Sequence, residues 1–185
     1  MLYANYYLDQ LFLYDTLYMN NLSGEILINN TKFNYILFDI NTLIILMKIK
    51  KKLIKSLEEC IKSLRQQDNF NIIRLVSENV LHYPYETLYF MIYKKNEVIG
   101  TSRIMYKQTS KKCYINMVFT NEKYRGNKIC QNNIKKLIEL TKNIFNIYEL
   151  EVRPDNVIAI KCYENIGFTF IKIDKYNNNI MRYKI

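Results

Sequence analysis

The sequence predicts an α/β (α+β) fold: a mixed, mostly antiparallel sheet flanked by helices, preceded by an N-terminal helical and hairpin extension. From Thr87 onward the hydrophobic periodicity reads β-β-β-α-β-α-β-β. A helix set between two strands implies a crossover, whereas the short turn at Lys95-Asn96 implies a hairpin, so both strand senses are expected. No Pro-, Gly- or Ser-rich linker divides the 185 residues, which therefore read as a single domain. Within it, residues 1–70 are an extension whose role the sequence does not define, and residues 71–185 are the core.

Residues 1–22 are rich in Tyr and Leu and read as a short helix. Residues 25–30 and 33–39 are apolar and β-branched around Asn29-Asn30-Thr31-Lys32, a hairpin signature. Asn41-Thr42 can cap one long helix running to about Gln66, with Leu53, Leu57, Cys60, Ile61 and Leu64 as its buried stripe. Lysines 48, 50, 51, 52 and 55 then form a solvated face. Ile72, Ile73, Val76, Val80 and Leu81 point to another helix, closing near Pro84. Strands follow at Thr87–Lys94, Glu97–Lys107 and Lys112–Thr120. Gln131 to Ile144 is an amphipathic helix with Ile134, Leu137, Ile138 and Ile144 inward. Tyr148–Arg153 is a strand, Val157–Asn165 a short helix, and Phe168–Ile173 with Ile180–Lys184 a closing hairpin.

Composition narrows the function classes. With 49% hydrophobic residues, 4 Gly and 2 Pro, disordered and collagen-like chains are excluded. A net charge of +10 attracts polyanions, although Lys, Asn, Ile and Tyr also share A/T-rich codons. Cys60, Cys113, Cys130 and Cys162 form no CxxC pair and His82 is the lone histidine, so no metal site is expected. The spacing suggests free thiols in a reducing compartment. Asp9 and the missing basic n-region make the N-terminus a poor signal peptide, and the apolar stretch from Tyr35 to Met47 is too short to span a bilayer. A soluble, cytoplasmic protein is expected, with no membrane partner.

Two segments carry chemistry. In the first, the strand ending Val118-Phe119-Thr120 gives way to a polar turn, Arg125-Gly126-Asn127-Lys128-Ile129-Cys130, and then to a helix. Free amides and the positive dipole end at such a helix start bind anions, and Arg125 and Lys128 add charge beside them. In the second, Asp155 or Asn156 is an N-cap; Ile158, Ala159, Cys162, Tyr163 and Ile166 share a face, Gly167 ends the helix, and Phe168 turns inward.

Together the two segments resemble the GNAT (general N-acetyltransferase) superfamily over about residues 85–185. Arg125 to Cys130 resembles the family's acetyl-CoA loop, Arg/Gln-x-x-Gly-x-Gly/Ala, with Lys128 in place of Gly and Cys130 in place of Gly or Ala. Asn156, Ala159, Tyr163, Gly167 and Phe168 match the signature Asn-x-x-Ala-x-x-x-Tyr-x-x-x-Gly-Phe. The resemblance implies a GNAT-like domain that moves an acetyl group from acetyl-CoA, its cosubstrate, to an amine by direct attack on the thioester, without a metal. It implies cofactor contacts from Val118, Phe119 and Thr120, from Arg125, Gly126, Asn127, Lys128, Ile129 and Cys130, and from Asn156. An N–H near Phe119–Thr120 would polarise the thioester carbonyl, and Tyr163 would protonate the CoA thiolate. A first-turn helical conformation would let Lys128 stand without Gly. The pantetheine cleft would open where the strand ending at Thr120 splays from Tyr148–Arg153.

Glu149 and Glu151 share a strand face beside that cleft; they are either a surface pair or candidates for the general base. Cys130 and Cys162 have no His partner that would make either an acyl-carrying nucleophile. The acceptor amine is not named by the sequence, and a homodimer is left open. Two other readings remain: a catalytically inactive relative acting as a regulatory or binding protein, and a nucleic-acid-binding module using the basic run and stacking tyrosines, of which nucleic acid is the weaker expectation.

Overall fold

The computed structural model describes residues 23–66, 72–73 and 85–185. The helix expected over 1–22, His82 and most of the helix expected over 72–81 lie outside the described residues, although Ile72 and Ile73 are helical.

Among the described residues, eight strands form one sheet in the order β1-β2-β3-β4-β5-β6-β8-β7. They are β1 (Ser23–Ile28), β2 (Thr31–Phe38), β3 (Tyr85–Lys94), β4 (Glu97–Lys107), β5 (Lys112–Thr120), β6 (Ile147–Val152), β7 (Thr169–Ile173) and β8 (Asn179–Lys184). Left-handed Asn29 and Asn30 turn the first hairpin, as Asn tolerates this region better than most side chains. That hairpin is one end of the common sheet, because β2 pairs antiparallel with β3. The single parallel pairing in this sheet is β5 with β6, and α3 (Ile129–Thr141) makes the crossover between them. The mixed sheet expected from the sequence is thus present.

Two apolar layers sandwich the sheet. On one face α3, through Ile134 and Leu137, and α4 (Val157–Glu164), through Cys162 and Tyr163, pack over Ile99, Ile104, Ile115, Tyr148, Leu150 and Phe168. On the other, α1 (Ile40–Ile49) and α2 (Lys51–Arg65) pack over Ile36, Phe38, Tyr89 and Met91. The buried part of each layer consists of residues fully or nearly removed from water, so this burial is the main source of stability.

The helix expected from residue 41 to 66 is two helices, broken at Lys50 (φ −123°, ψ 50°). The reason is positional. Leu43, Leu46, Leu53 and Leu57 are buried along one line, and a continuous helix would place Lys50 on that line. Burying its ammonium unpaired would cost far more than breaking the helix, and at the break Lys50 is exposed. The cap is Asp39, whose Oδ1 accepts from the Thr42 amide at 2.8 Å, rather than Asn41 or Thr42. Leu53, Leu57, Cys60 and Ile61 are buried as expected, but Leu64 is exposed. The basic run is a solvated face, with residues 48, 50, 51, 52 and 55 all exposed. At the other end of the chain, α3 starts two residues before the expected Gln131, and Ile144, expected inward, is exposed beyond its end. None of the helices among the described residues is long and apolar enough to cross a membrane.

Candidate active site

The β5–β6 pairing is short. It joins Lys112–Ile115 to Ile147–Leu150 and then stops, although β5 runs on to Thr120 and β6 to Val152. Beyond Ile115 the two strands part, leaving one edge of β5 without a strand neighbour among the described residues. The parting coincides with a bulge. Met117 takes φ +51°, the register with β4 shifts between Thr101 and Arg103, and the Thr101 hydroxyl donates to the Met117 carbonyl at 3.1 Å. A bulge kinks its strand and re-aims the peptide groups after it, here those of Val118, Phe119 and Thr120.

The strand leads into a single 3-10 turn, Glu122–Tyr124, and then to the start of α3. The Asn121 side chain accepts from the Lys123 amide, the Tyr124 hydroxyl donates to Glu97 at 3.2 Å, and Arg125 lies 3.3 Å from Glu122. Of the amides expected to face an anion, two are used locally: Arg125 donates to the Glu122 carbonyl and Asn127 to the Tyr124 carbonyl. Gly126 sits at φ +80°, and a Cβ added there would meet nothing within 4 Å, so the space above it is open. Lys128 is the N-cap residue of α3 and has no capping side chain, which leaves the first amides of the helix, including those of Ile129 and Cys130, unsatisfied by a side chain. It does not adopt the first-turn conformation expected for it. Its φ is +59°, the left-handed region, where a Gly would be unstrained and a Lys is not. The loop therefore keeps the geometry of its missing glycine.

On α4 the Asn156 cap is as expected, with Oδ1 accepting from the Ala159 amide at 3.2 Å. Gly167 takes φ +110° with the Tyr183 ring at 3.3 Å from a would-be Cβ, so a side chain there would be strained by the backbone and crowded by the ring. Cys162, Tyr163 and Phe168 are buried, but Ile158, expected on the same face, is 86% exposed. Burial pushes the Tyr163 phenol up to about 12. The two cysteines nearest the site are not free thiols. Cys130, in the first turn of α3, is bonded to Cys162, beside Tyr163, with the Cα atoms 6.6 Å apart. The expectation of free thiols holds for Cys60 and Cys113, both buried. The 32-residue gap between Cys130 and Cys162 hid the pair, which only the fold brings together.

Glu149 is neither a surface residue nor a poised base. It is buried and accepts from Lys112 at 2.9 Å and from Arg182 at 2.6 Å. Burial alone would raise its pKa, but these hydrogen bonds and charges outweigh burial and hold the carboxyl below its ordinary value. Glu151 is exposed. Tyr35, Tyr89, Tyr148 and Tyr163 are core residues, which removes them from any base-stacking surface. Among the described residues, no group of three or more His, Cys, Asp or Glu could hold a metal.

Residues 51–168 match the family model for the acetyltransferase (GNAT) family. The chain belongs to the GNAT acetyltransferase family. Solved structures of similar fold include the GNAT domain of S. lividans PAT, at a TM-score of 0.62 and 11% identity over 88% of this chain and 97% of that one. A ribosomal L7/L12 α-N-protein acetyltransferase, RimL, in complex with coenzyme A through a CoA–cysteine disulfide, matches at 0.59 and 16% identity over 88% of this chain and 98% of that one. The PaiA N-acetyltransferase of Thermoplasma acidophilum, in complex with coenzyme A, matches at 0.54 and 14% identity, covering 82% and 99% of the two chains. These likenesses show the fold. No curated protein matches the sequence.

Proposed function

We propose that this GNAT protein transfers an acetyl group from acetyl-CoA to an amine of a small molecule or protein. The observation that carries the reading is the parting of β5 from β6 after Ile115, at the bulge and beside the uncapped start of α3. The residues present fit acetyl-CoA. The open space over Gly126 and the helix amides suit a diphosphate, with Arg125 and Lys128 beside it. The bare β5 edge offers backbone groups to an amide-bearing arm, in the manner of an added strand.

Bound acetyl-CoA would supply the acyl group already activated as a thioester. The amides among Val118, Phe119 and Thr120 that do not face β4 would hold the arm and donate to the carbonyl oxygen where negative charge grows. Tyr163 would be the residue to protonate the departing thiolate; burial pushes its phenol up to about 12, so it carries its proton at neutral pH. With Glu149 held by two cations, proton removal from the acceptor falls to another group or to solvent. Acetyl-CoA is a cytoplasmic metabolite, so the cytoplasmic expectation goes with this reading.

The test is a thermal-shift titration with acetyl-CoA, followed by free-thiol detection with a panel of amines. Acetyl-CoA raises the melting temperature of the wild type, and Arg125→Glu abolishes the shift. No shift at millimolar acetyl-CoA would sink the proposal; a shift with no thiol release from any amine favours the inactive relative.

A further inference from the structure

Among the described residues the Cys130–Cys162 bond is the one tie between α3 and α4 besides apolar packing; no hydrogen bond or ion pair joins the two helices. The bond also crosses the gap in the sheet. α3 follows β5 and carries the free amides beside Gly126, whereas α4 follows β6 and carries the Asn156 cap and Tyr163. Beyond Ile115 the two strands no longer pair, so there the bridge sets the spacing between the two sides.

The two ends of the bond differ. Cys130 is half-buried and lies in the first turn of a 13-residue helix, where the positive dipole end favours a thiolate, with Lys128 at the N-cap. Cys162 is buried in the apolar core beside Tyr163, surroundings that favour a neutral thiol. A disulfide with one reachable, thiolate-favouring end belongs to the labile kind. Cys60 and Cys113 are unlike either: both are buried free thiols, and burial pushes Cys60 up to about 12 and raises Cys113 as well. A protein that uses acetyl-CoA works among the reducing thiols of the cytoplasm, where a disulfide is ordinarily a transient element rather than a permanent staple.

We infer that Cys130–Cys162 is a reversible thiol–disulfide exchange site for a small thiol of the glutathione class, and that its bridged state is the one that holds acetyl-CoA tightly. The second half of the inference rests on the transferase reading above. The thiolate of the small molecule attacks the Cys130 sulfur, the S–S bond breaks, and Cys162 leaves with the electron pair and takes up a proton. A second small thiol then attacks the mixed disulfide on Cys130 and departs as the oxidised small disulfide, leaving Cys130 reduced; the two protons lost by the small thiols end on the two cysteines. Run backwards with the oxidised small disulfide, the same steps restore the bridge. The bridged state already shows the parted strands, the open space over Gly126 and the free start of α3. Without the bridge, acetyl-CoA must itself fix the spacing of α3 and α4, and that ordering lowers its affinity.

The experiment equilibrates the full chain in graded mixtures of reduced and oxidised glutathione, quenches with acid and locates the thiols by alkylation and mass spectrometry. Cys130 and Cys162 pass together and reversibly between dithiol and disulfide, while Cys60 and Cys113 stay reduced throughout. Calorimetry then shows the bridged protein binding acetyl-CoA about tenfold more tightly than the reduced one, and saturating acetyl-CoA moves the half-oxidation point towards more reducing mixtures by the same factor. Circular dichroism reports that the reduced wild type is folded, so the comparison needs no variant. Cys130→Ala binds equally in both buffers, at the affinity of the reduced wild type, and Cys60→Ser keeps the difference. If acetyl-CoA binds neither form while the pair still titrates, the transferase reading falls and the exchange site stands. A pair that stays bridged in reduced glutathione or open in oxidised glutathione, a reduced protein that unfolds, or equal acetyl-CoA affinity in the two states would overturn the inference.

Discussion

On the α3–α4 face of the sheet, most of the polar groups available to a ligand belong to the backbone, the parted edge of β5 and the first amides of α3, with the Arg125 and Lys128 side chains beside them. On the α1–α2 face the polar groups belong to side chains. Arg103 and Asn116 stand at the bulge, and Lys112, Glu149 and Arg182 form an ion cluster on β5, β6 and β8. Backbone donors survive sequence change so long as the chain path is kept, which is how Lys128 can replace Gly and leave the left-handed turn in place. Side-chain donors change with one substitution. The two faces of this sheet therefore differ in how much substitution their polar groups tolerate.

Four changes test the contrast. The largest effect is expected at the Cys130–Cys162 bridge, which ties the two helices of the backbone-donor face. Replacing both cysteines by Ser lowers unfolding stability by about 3–4 kcal/mol in the chain-entropy account, measured by denaturant titration with and without reductant. An unchanged midpoint would show that packing alone sets the spacing of α3 and α4. Next, Tyr163→Phe lowers kcat by about 10²-fold and leaves the acetyl-CoA melting shift intact, separating proton donation from binding. Burial raises the Tyr163 and Tyr148 phenols to about 12, so their contribution to stability is whole below the ordinary tyrosine value of 10.0 and is lost as the pH climbs from there through 12.

On the opposite face, Glu149→Gln costs about 1–2 kcal/mol, a modest sum because Lys112 and Arg182 are each more than a third exposed and water screens them. Its depressed carboxyl adds stability that is complete above the ordinary value of 4.5 and disappears as acid carries the pH below it, so the wild type, and not Glu149→Gln, loses this increment in an acid titration. The smallest effect is a gain. Lys128→Gly relieves a left-handed lysine and stabilises the protein by about 1 kcal/mol. Destabilisation instead would mean that the lysine side chain contributes packing or charge the turn needs.

What could be read in the sequence follows the same division. The α4 segment was legible because its residues act locally, with Asn156 capping the helix, Gly167 turning the chain and Phe168 entering the core. The strands of the second half were legible from alternation. The bulge was not, since Met117 carries none of the marks of a left-handed residue and its conformation is imposed by β4. The break at Lys50 has no Gly or Pro, yet the sequence held a signal for it, namely a lysine on the line of Leu43, Leu46, Leu53 and Leu57. Arg103 could have been flagged in the same way, as a charge inside a run of buried strand residues. The disulfide left no local trace, because it depends on two helices meeting.

The short seam between β5 and β6 divides the sheet into two plates, and each plate is drawn from one unbroken stretch of chain: β1 to β5 from residues 23–120, and β6 to β8 from residues 147–184. A cut in the turn at residues 142–146 would yield halves that share the four β5–β6 backbone pairings, the Lys112–Glu149 ion pair, the Thr141–Tyr148 hydrogen bond, one covalent bridge and the packing of α4 on α3. The molecule is thus divisible along the line where a ligand would lie, and reassembly of the halves would serve as a direct gauge of what fills the gap.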